Sequence, residues 1–77
     1  NGLHLVCQYG YLPMIKALVN KGIDINCLNG QDKTPLHLAC EYQKERILKE
    51  LLKYDDIQLN LRDSDGFTPF LIATQHY

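Results

Sequence analysis

The sequence predicts an all-α repeat solenoid, in which short helix-turn-helix units stack in a row. One motif supports this prediction, since residues 34–40 (TPLHLAC) share their second half with residues 3–7 and their first half with residues 68–73. The copies lie 33 and then 34 residues apart. An independent pair agrees, because Leu18-Val19 and Leu51-Leu52 are also separated by 33 residues.

Two helices are predicted before the central motif. The first covers about residues 3–9 and ends at Gly10, because glycine tolerates the positive φ that closes a helix. The second covers about residues 13–21, where Pro13 suits a first helical turn, and it ends at Gly22. Its apolar positions recur at helical spacing and form one stripe: Met14, Ile15, Leu18 and Val19.

Three further helices follow a connecting loop at residues 23–33. The third is predicted over about residues 35–42, with Thr34 as its N-cap. The fifth begins at Pro69, the proline of the second Thr-Pro pair, and covers about residues 69–77. Between them, the fourth covers about residues 44–54 and is expected to bury Ile47, Leu48, Leu51 and Leu52.

A known family shares this motif and this period. The letters T-P-L-H-x-A on a 33-residue period resemble the ankyrin repeat, a β-turn followed by two antiparallel helices, and residues 63–69 resemble the family opening D-x-x-G-x-T-P. Three positions depart from the pattern, since Asp32 and Gln43 replace glycines and Leu71 replaces the motif histidine. The resemblance covers essentially the whole chain. It implies an ankyrin-repeat solenoid whose helix pairs are joined by β-hairpin-like loops.

The resemblance also implies how one ankyrin-repeat domain over residues 1–77 is divided. A partial repeat is placed at residues 1–28, a complete repeat at 29–62 and a second partial repeat at 63–77. The chain is therefore expected to be a fragment or the ordered part of a longer array. Because uncapped repeats present an apolar face, the isolated chain is expected to self-associate through its ends.

Composition and charge exclude several classes of partner. Eight Lys and Arg residues are dispersed among nine Asp and Glu residues, so no basic stripe is available for nucleic acid. No apolar run approaches the roughly 18 to 20 residues that cross a bilayer, so no membrane partner is predicted. The three cysteines lack paired metal-ligand spacing and are interpreted as free thiols, which favours an intracellular location, cytoplasmic or nuclear.

No pattern of residues predicts catalysis, a cofactor or a metal site. The one serine, Ser64, has no histidine and acid at recognisable spacing, and a phosphate-binding glycine loop is missing. The adjacent acids Asp55 and Asp56 are interpreted as a solvated loop, because no calcium-loop pattern follows them. The chain is predicted not to be an enzyme.

The resemblance implies a structural role for the motif residues. In ankyrin repeats the threonine hydroxyl meets the histidine ring, and the other ring nitrogen reaches the backbone of a neighbouring loop. A buried imidazole needs such partners, since an unpaired polar group in a core costs roughly 1 to 3 kcal/mol. The residues assigned this role are His4, Thr34, Pro35, His37, Thr68 and Pro69.

The same resemblance places a binding surface on the hairpin tips and on the exposed side of each first helix, which together line a concave groove. Tyr9 and Tyr42 occupy equivalent positions and are expected to stack along this groove, and aromatic side chains are favoured interface anchors. The predicted partner-binding residues are Gln8, Tyr9, Gln31, Lys33, Glu41, Tyr42, Ser64, Asp65, Phe67, Gln75 and His76.

Two loop asparagines, Asn26 and Asn60, are expected to stabilise the turns in which they lie. Each follows a leucine by eight residues, and this pattern resembles the substrate site of the asparaginyl hydroxylase that modifies ankyrin domains. Both are therefore candidate hydroxylation sites.

The predicted function is a non-catalytic protein–protein interaction scaffold with a protein partner. The alternative is a substrate-recruiting or regulatory ankyrin section of a larger enzyme or of a host-directed effector. A purely structural spacer is a third possibility. Both the scaffold and the alternative assign the same binding role to these residues, and they differ in what lies outside the chain.

Overall fold

Helices make up all the regular secondary structure of the part of the chain that the computed structural model describes, residues 2–75. The predicted all-α fold class is confirmed. In chain order the helices are α1 (Gly2–Tyr9), α2 (Pro13–Asn20), α3 (Pro35–Glu41), α4 (Glu45–Leu51) and α5 (Pro69–Gln75).

The predicted helix starts agree with the structure more closely than the predicted ends. Prolines begin α2, α3 and α5, as expected. The predicted end of the fourth helix at Tyr54 is wrong, because α4 stops at Leu51. After Leu51 the chain continues in tight turns. The Tyr54 amide donates a hydrogen bond to the Leu51 carbonyl, and the Ile57 amide donates one to the Tyr54 carbonyl. The predicted last residues of the fifth helix, His76 and Tyr77, lie outside the described residues.

The two positions where glycine is replaced keep the backbone of a glycine. Asp32 has φ 59° and Gln43 has φ 57°, beside 79° at the helix-ending Gly10. A left-handed conformation costs a residue with a Cβ atom about 1 to 2 kcal/mol. The repeat geometry therefore dictates the backbone at these positions and overrides the preference of the side chain.

Helix α3 lies at the centre of the fold and contacts α1, α4 and α5. Every residue from Pro35 to Cys40 is buried. Leu36 and Leu38 of α3 join a core that includes Leu3 of α1 and Ile47 of α4. Within residues 2–75 the central repeat has a neighbour on both sides, and its inner helix is the most completely covered of the five described helices.

Exposure at equivalent positions shows the direction in which the repeats stack. Leu38 and Ile72 are 6% and 5% exposed, whereas their equivalent in α1, Leu5, is 55% exposed. The reverse holds on the other side of the inner helices, where Leu36 is fully buried and its equivalent in α5, Phe70, is 42% exposed. Each described interface therefore joins the Leu36-type side of one repeat to the Leu38-type side of the next.

This polarity explains why two residues expected in the apolar stripes are exposed. The prediction that Leu52 is buried is wrong, since its side chain is exposed, and Met14 of the second helix is exposed as well. Their stripe partners Ile47 and Ile15 are buried between the first two repeats. No further repeat lies against Leu52 or Met14 within residues 2–75.

Candidate functional site

The connecting loops form matching turns at two levels of the stack. The Asn29 carboxamide oxygen accepts hydrogen bonds from the amides of Gln31 (2.8 Å) and Lys33 (3.0 Å). An equivalent carboxylate, Asp63, accepts hydrogen bonds from the amides of Asp65 and Phe67, both at 2.9 Å. Such local bonds stabilise the turn without a regular strand.

A backbone hydrogen bond joins the two turns directly. The Ser64 amide donates to the Gln31 carbonyl at 3.0 Å. In addition, the Asn29 amide donates to the Lys33 carbonyl within the first turn, and the Asp63 amide donates to the Phe67 carbonyl within the second. The tips therefore form a fixed row, on which their exposed side chains are held at defined positions.

Thr34 and His37 form a buried hydrogen-bonded unit at the start of α3. Both the amide and the hydroxyl of Thr34 lie within hydrogen-bond distance of His37 Nδ1, at 3.0 and 2.8 Å. The Thr34 hydroxyl oxygen also accepts a bond from the His37 amide at 3.2 Å. The other ring nitrogen, Nε2, donates to the Phe67 carbonyl at 2.8 Å. The ring thus joins its own helix start to the turn of the next repeat.

His4 makes the equivalent contact one repeat earlier. Its Nε2 atom donates to the Lys33 carbonyl at 2.8 Å, and Cys27 Sγ lies 3.9 Å from its Nδ1 atom. Burial lowers the pKa of His4, which favours the neutral ring that these contacts require. In the third repeat the Thr68 hydroxyl accepts a bond from the Leu71 amide at 3.3 Å, and no ring is present at this slot.

Lys33 and Glu41, both predicted to bind a partner, bind each other. Their ammonium and carboxylate groups lie 2.5 Å apart across the turn and the inner helix. The hydrogen bond to Glu41 raises the pKa of Lys33. The two charges therefore neutralise each other, and the pair is held in one geometry.

The remaining predicted binding residues differ in exposure. Tyr9 is 73% exposed and Tyr42 is 43% exposed, while Gln8 and Phe67 are half-buried. The exposed polar members are Gln31, Ser64, Asp65 and Gln75. His76 lies outside the described residues. Stacking of Tyr9 on Tyr42 stays a prediction, as does the binding role of the whole set.

A cavity beside Tyr9 was not anticipated by any sequence pattern. It has a volume of about 310 Å³ and lies between the end of α1 and the turn that leads into α4. The lining residues are Tyr9, Gly10, Gln43, Lys44, Glu45, Arg46 and Ile47. Its residues come from two segments more than 30 positions apart in the sequence. No local pattern connects these segments, so the sequence contains no signal that predicts the cavity.

Asn26 links the outer loops of two repeats. Its carboxamide donates to the Asp56 carbonyl and accepts from the Gln58 amide, each at 2.8 Å. The side chain is half-buried, whereas Asn60 is exposed. Hydroxylation of either asparagine stays a prediction.

All three cysteines are thiols that form no disulfide bond. Burial raises the pKa of Cys7 to about 12 and that of Cys40 to about 11, so both thiols are protonated at neutral pH. Cys27 is a half-buried free thiol. Residues 2–75 contain no group of three or more potential metal ligands, and no helix among them is long and apolar enough to cross a membrane.

Comparison with known proteins gives a consistent result. The family model described as "Ankyrin repeats (3 copies)" matches residues 3–77. The chain is 35% identical over 71 residues to Rabankyrin-5 of Homo sapiens, covering 92% of this chain and 6% of that protein. It is 33% identical over 73 residues to the Neurogenic locus Notch protein of Drosophila melanogaster, covering 95% and 3%. It is 31% identical over 74 residues to Alpha-latrotoxin-Lhe1a of Latrodectus hesperus, covering 95% and 5%. The chain thus spans only 3% to 6% of the length of these curated relatives.

Proposed function

The chain belongs to the ankyrin-repeat family, and from this premise we propose that it is a non-catalytic scaffold that binds a protein partner through its concave groove and hairpin tips. Ankyrin repeats are generally protein-interaction modules and are typically non-catalytic. The proposal covers the class of partner, a protein, and the residues that bind it.

The observation that supports this proposal most directly is the fixed row of turns. The Ser64–Gln31 backbone bond and the contacts of His4 and His37 with the next turn use backbone atoms and buried rings. The exposed side chains at the tips take no part in these contacts. A rigid backbone loses little conformational entropy on binding, and side chains that make no other contact are available to a partner.

The aromatic side chains supply the apolar part of the proposed surface. Tyr42 exposes nearly half of its area beside the Lys33–Glu41 pair, while Phe67 is half-buried at the second turn. Aromatic residues at the centre of an interface bury a large area and have few rotatable bonds. We assign Tyr42 as the central anchor, because it lies in the repeat that has neighbours on both sides.

A substrate-recruiting or regulatory role within a larger enzyme or a host-directed effector is the alternative proposal. It assigns the same binding to the groove and differs only in the rest of the protein. The short span of the chain within its relatives is compatible with both proposals.

The experiment begins with capture of partners from cell lysate and continues with affinity measurements on a purified partner. Tyr42→Ala is expected to weaken binding about tenfold or more, as for an interface anchor. Lys49→Ala, an exposed position on α4, is the matched control and is expected to bind like the parent chain. Equal affinity of all three proteins, at unchanged melting temperature, would contradict the groove as the binding surface.

A further inference from the structure

The cavity beside Tyr9 has the size of a site for one side chain. Its volume of about 310 Å³ is at the lower limit of ligand pockets, which span roughly 300 to 1,000 Å³. The Tyr9 ring forms one wall and is largely exposed, so it has apolar area available for a ligand. The opposite wall comes from the second repeat, at residues 43–47.

The lining of this cavity carries more positive than negative charge. Lys33 is paired with Glu41, and Lys53 lies 3.5 Å from Glu50. Lys44 and Arg46, which line the cavity, make no ion pair with any described residue. Glu45 also lines the cavity and is exposed, so the lining carries two positive charges and one negative charge.

The side chain of Lys44 lies against the backbone at Gly10. A Cβ atom at Gly10 would lie 3.1 Å from Lys44 Cδ and 3.7 Å from its ammonium nitrogen. The aliphatic part of Lys44 therefore packs directly on the glycine, and the side chain is half-buried. Packing of the aliphatic part restricts the side chain, so less rotamer freedom is lost when the ammonium binds an anion.

We propose that this cavity binds the side-chain carboxylate of an acidic residue of the protein partner, with the preceding apolar residue of the partner resting on the Tyr9 ring. The carboxylate bonds to the Lys44 ammonium and the Arg46 guanidinium, which are complementary in charge. Glu45 opposes the ligand and limits its affinity. The inference rests on the proposed function, because it places one residue of the partner at the edge of the groove.

The test uses a small probe, so it does not require the partner. Acetyl-Leu-Glu-amide is titrated into ¹⁵N-labelled chain at low ionic strength, and acetyl-Leu-Gln-amide, which lacks the charge, is titrated in parallel. The expected result is saturable shifts of the amide signals of Gly10 and residues 43–47 with the Glu probe. The Gln probe is expected to bind at least about threefold more weakly, the effect of losing one partly exposed charge contact.

Three charge variants and one control sharpen the result. Lys44→Gln and Arg46→Gln are each expected to weaken the Glu probe about threefold, and Glu45→Gln to strengthen it by a similar factor. Lys16→Gln removes an exposed lysine of α2 that does not line the cavity, and it is expected to leave the affinity unchanged. Arg46 is exposed, so its variant remains informative if Lys44→Gln disturbs the fold.

Specific outcomes overturn the inference. Shifts spread over all lysine-bearing segments, equal binding of both probes, or weaker binding by Glu45→Gln would each refute a carboxylate site in this cavity. These outcomes are distinguishable from failure of the proposed function, because the Tyr42→Ala measurement uses the partner and a residue outside the cavity lining. The probe titration can therefore succeed when the Tyr42→Ala measurement fails, and the reverse.

Discussion

Replacement of His37 by leucine tests whether the motif histidine supports the stack. The fully buried ring is the hydrogen-bond partner of the Thr34 amide and hydroxyl and of the Phe67 carbonyl. Leucine fills similar space but leaves the two Thr34 donors without these bonds. The Phe67 carbonyl keeps a bond from the Asp63 amide, so the loss is concentrated at Thr34.

The expected cost follows from these two buried donors. Each unpaired buried donor costs about 1 to 3 kcal/mol, so with two such donors His37→Leu is expected to lower the free energy of unfolding by about 2 to 6 kcal/mol. In a domain of this size such a loss lowers the melting temperature by at least about 10 °C. Urea and thermal unfolding followed by circular dichroism at helical wavelengths measure both quantities.

A double-mutant cycle with Thr34→Val separates this explanation from a general loss of packing. Valine removes the hydroxyl that the histidine variant leaves unpaired, so the double variant is expected to be more stable than additivity predicts, by about 1 kcal/mol. A cost of His37→Leu below about 1 kcal/mol, or strictly additive effects, would refute the reasoning. Partner binding by the folded His37→Leu protein is expected to be unchanged, since the ring is buried.

Three other outcomes are expected. Asn26→Ala removes the bonds to Asp56 and Gln58 and should cost about 1 to 2 kcal/mol in urea unfolding, whereas alanine at the exposed Asn20 should cost far less. The pKa of His4 is lowered in the folded chain, so the unfolded chain binds more protons. The free energy of unfolding should therefore keep the full contribution of His4 above pH 6.5 and fall as the pH drops below that value. The His4→Leu variant should show a weaker fall, and equal slopes for the two proteins would contradict the prediction. The exposed Leu5 and Phe70 should make the chain associate as its concentration rises in sedimentation, with Leu5→Glu reducing association; a monomer at every concentration would argue against contact through the ends.

Particular residues show where sequence reasoning succeeded. The Thr-Pro pairs predicted the starts of α3 and α5, because a capping hydroxyl followed by proline specifies a helix start locally. Gly10 predicted a helix end, because the positive φ that closes a helix depends on the residue at that one position. Family membership also followed from the sequence, through the motif and its period.

Other residues show where sequence reasoning was insufficient. Leu52 fits an apolar stripe at helical spacing, yet it is exposed, because burial requires a neighbouring helix on that side. Lys33 and Glu41 were predicted as separate binding residues, and the structure pairs their charges across a turn. The cavity beside Tyr9 joins two segments that no local pattern connects.

The amino-acid sequence by itself determined the repeat architecture of this protein, its helix starts and the helix end at Gly10. These features depend on local sterics, on capping and on a period that is visible in the letters. Tertiary structure alone decided which equivalent residues are covered, which charges are neutralised and where a cavity forms. The physical reason is that burial and the cavity depend on atoms brought together from residues about one repeat apart, while the Lys33–Glu41 pair depends on two side chains brought together across a turn.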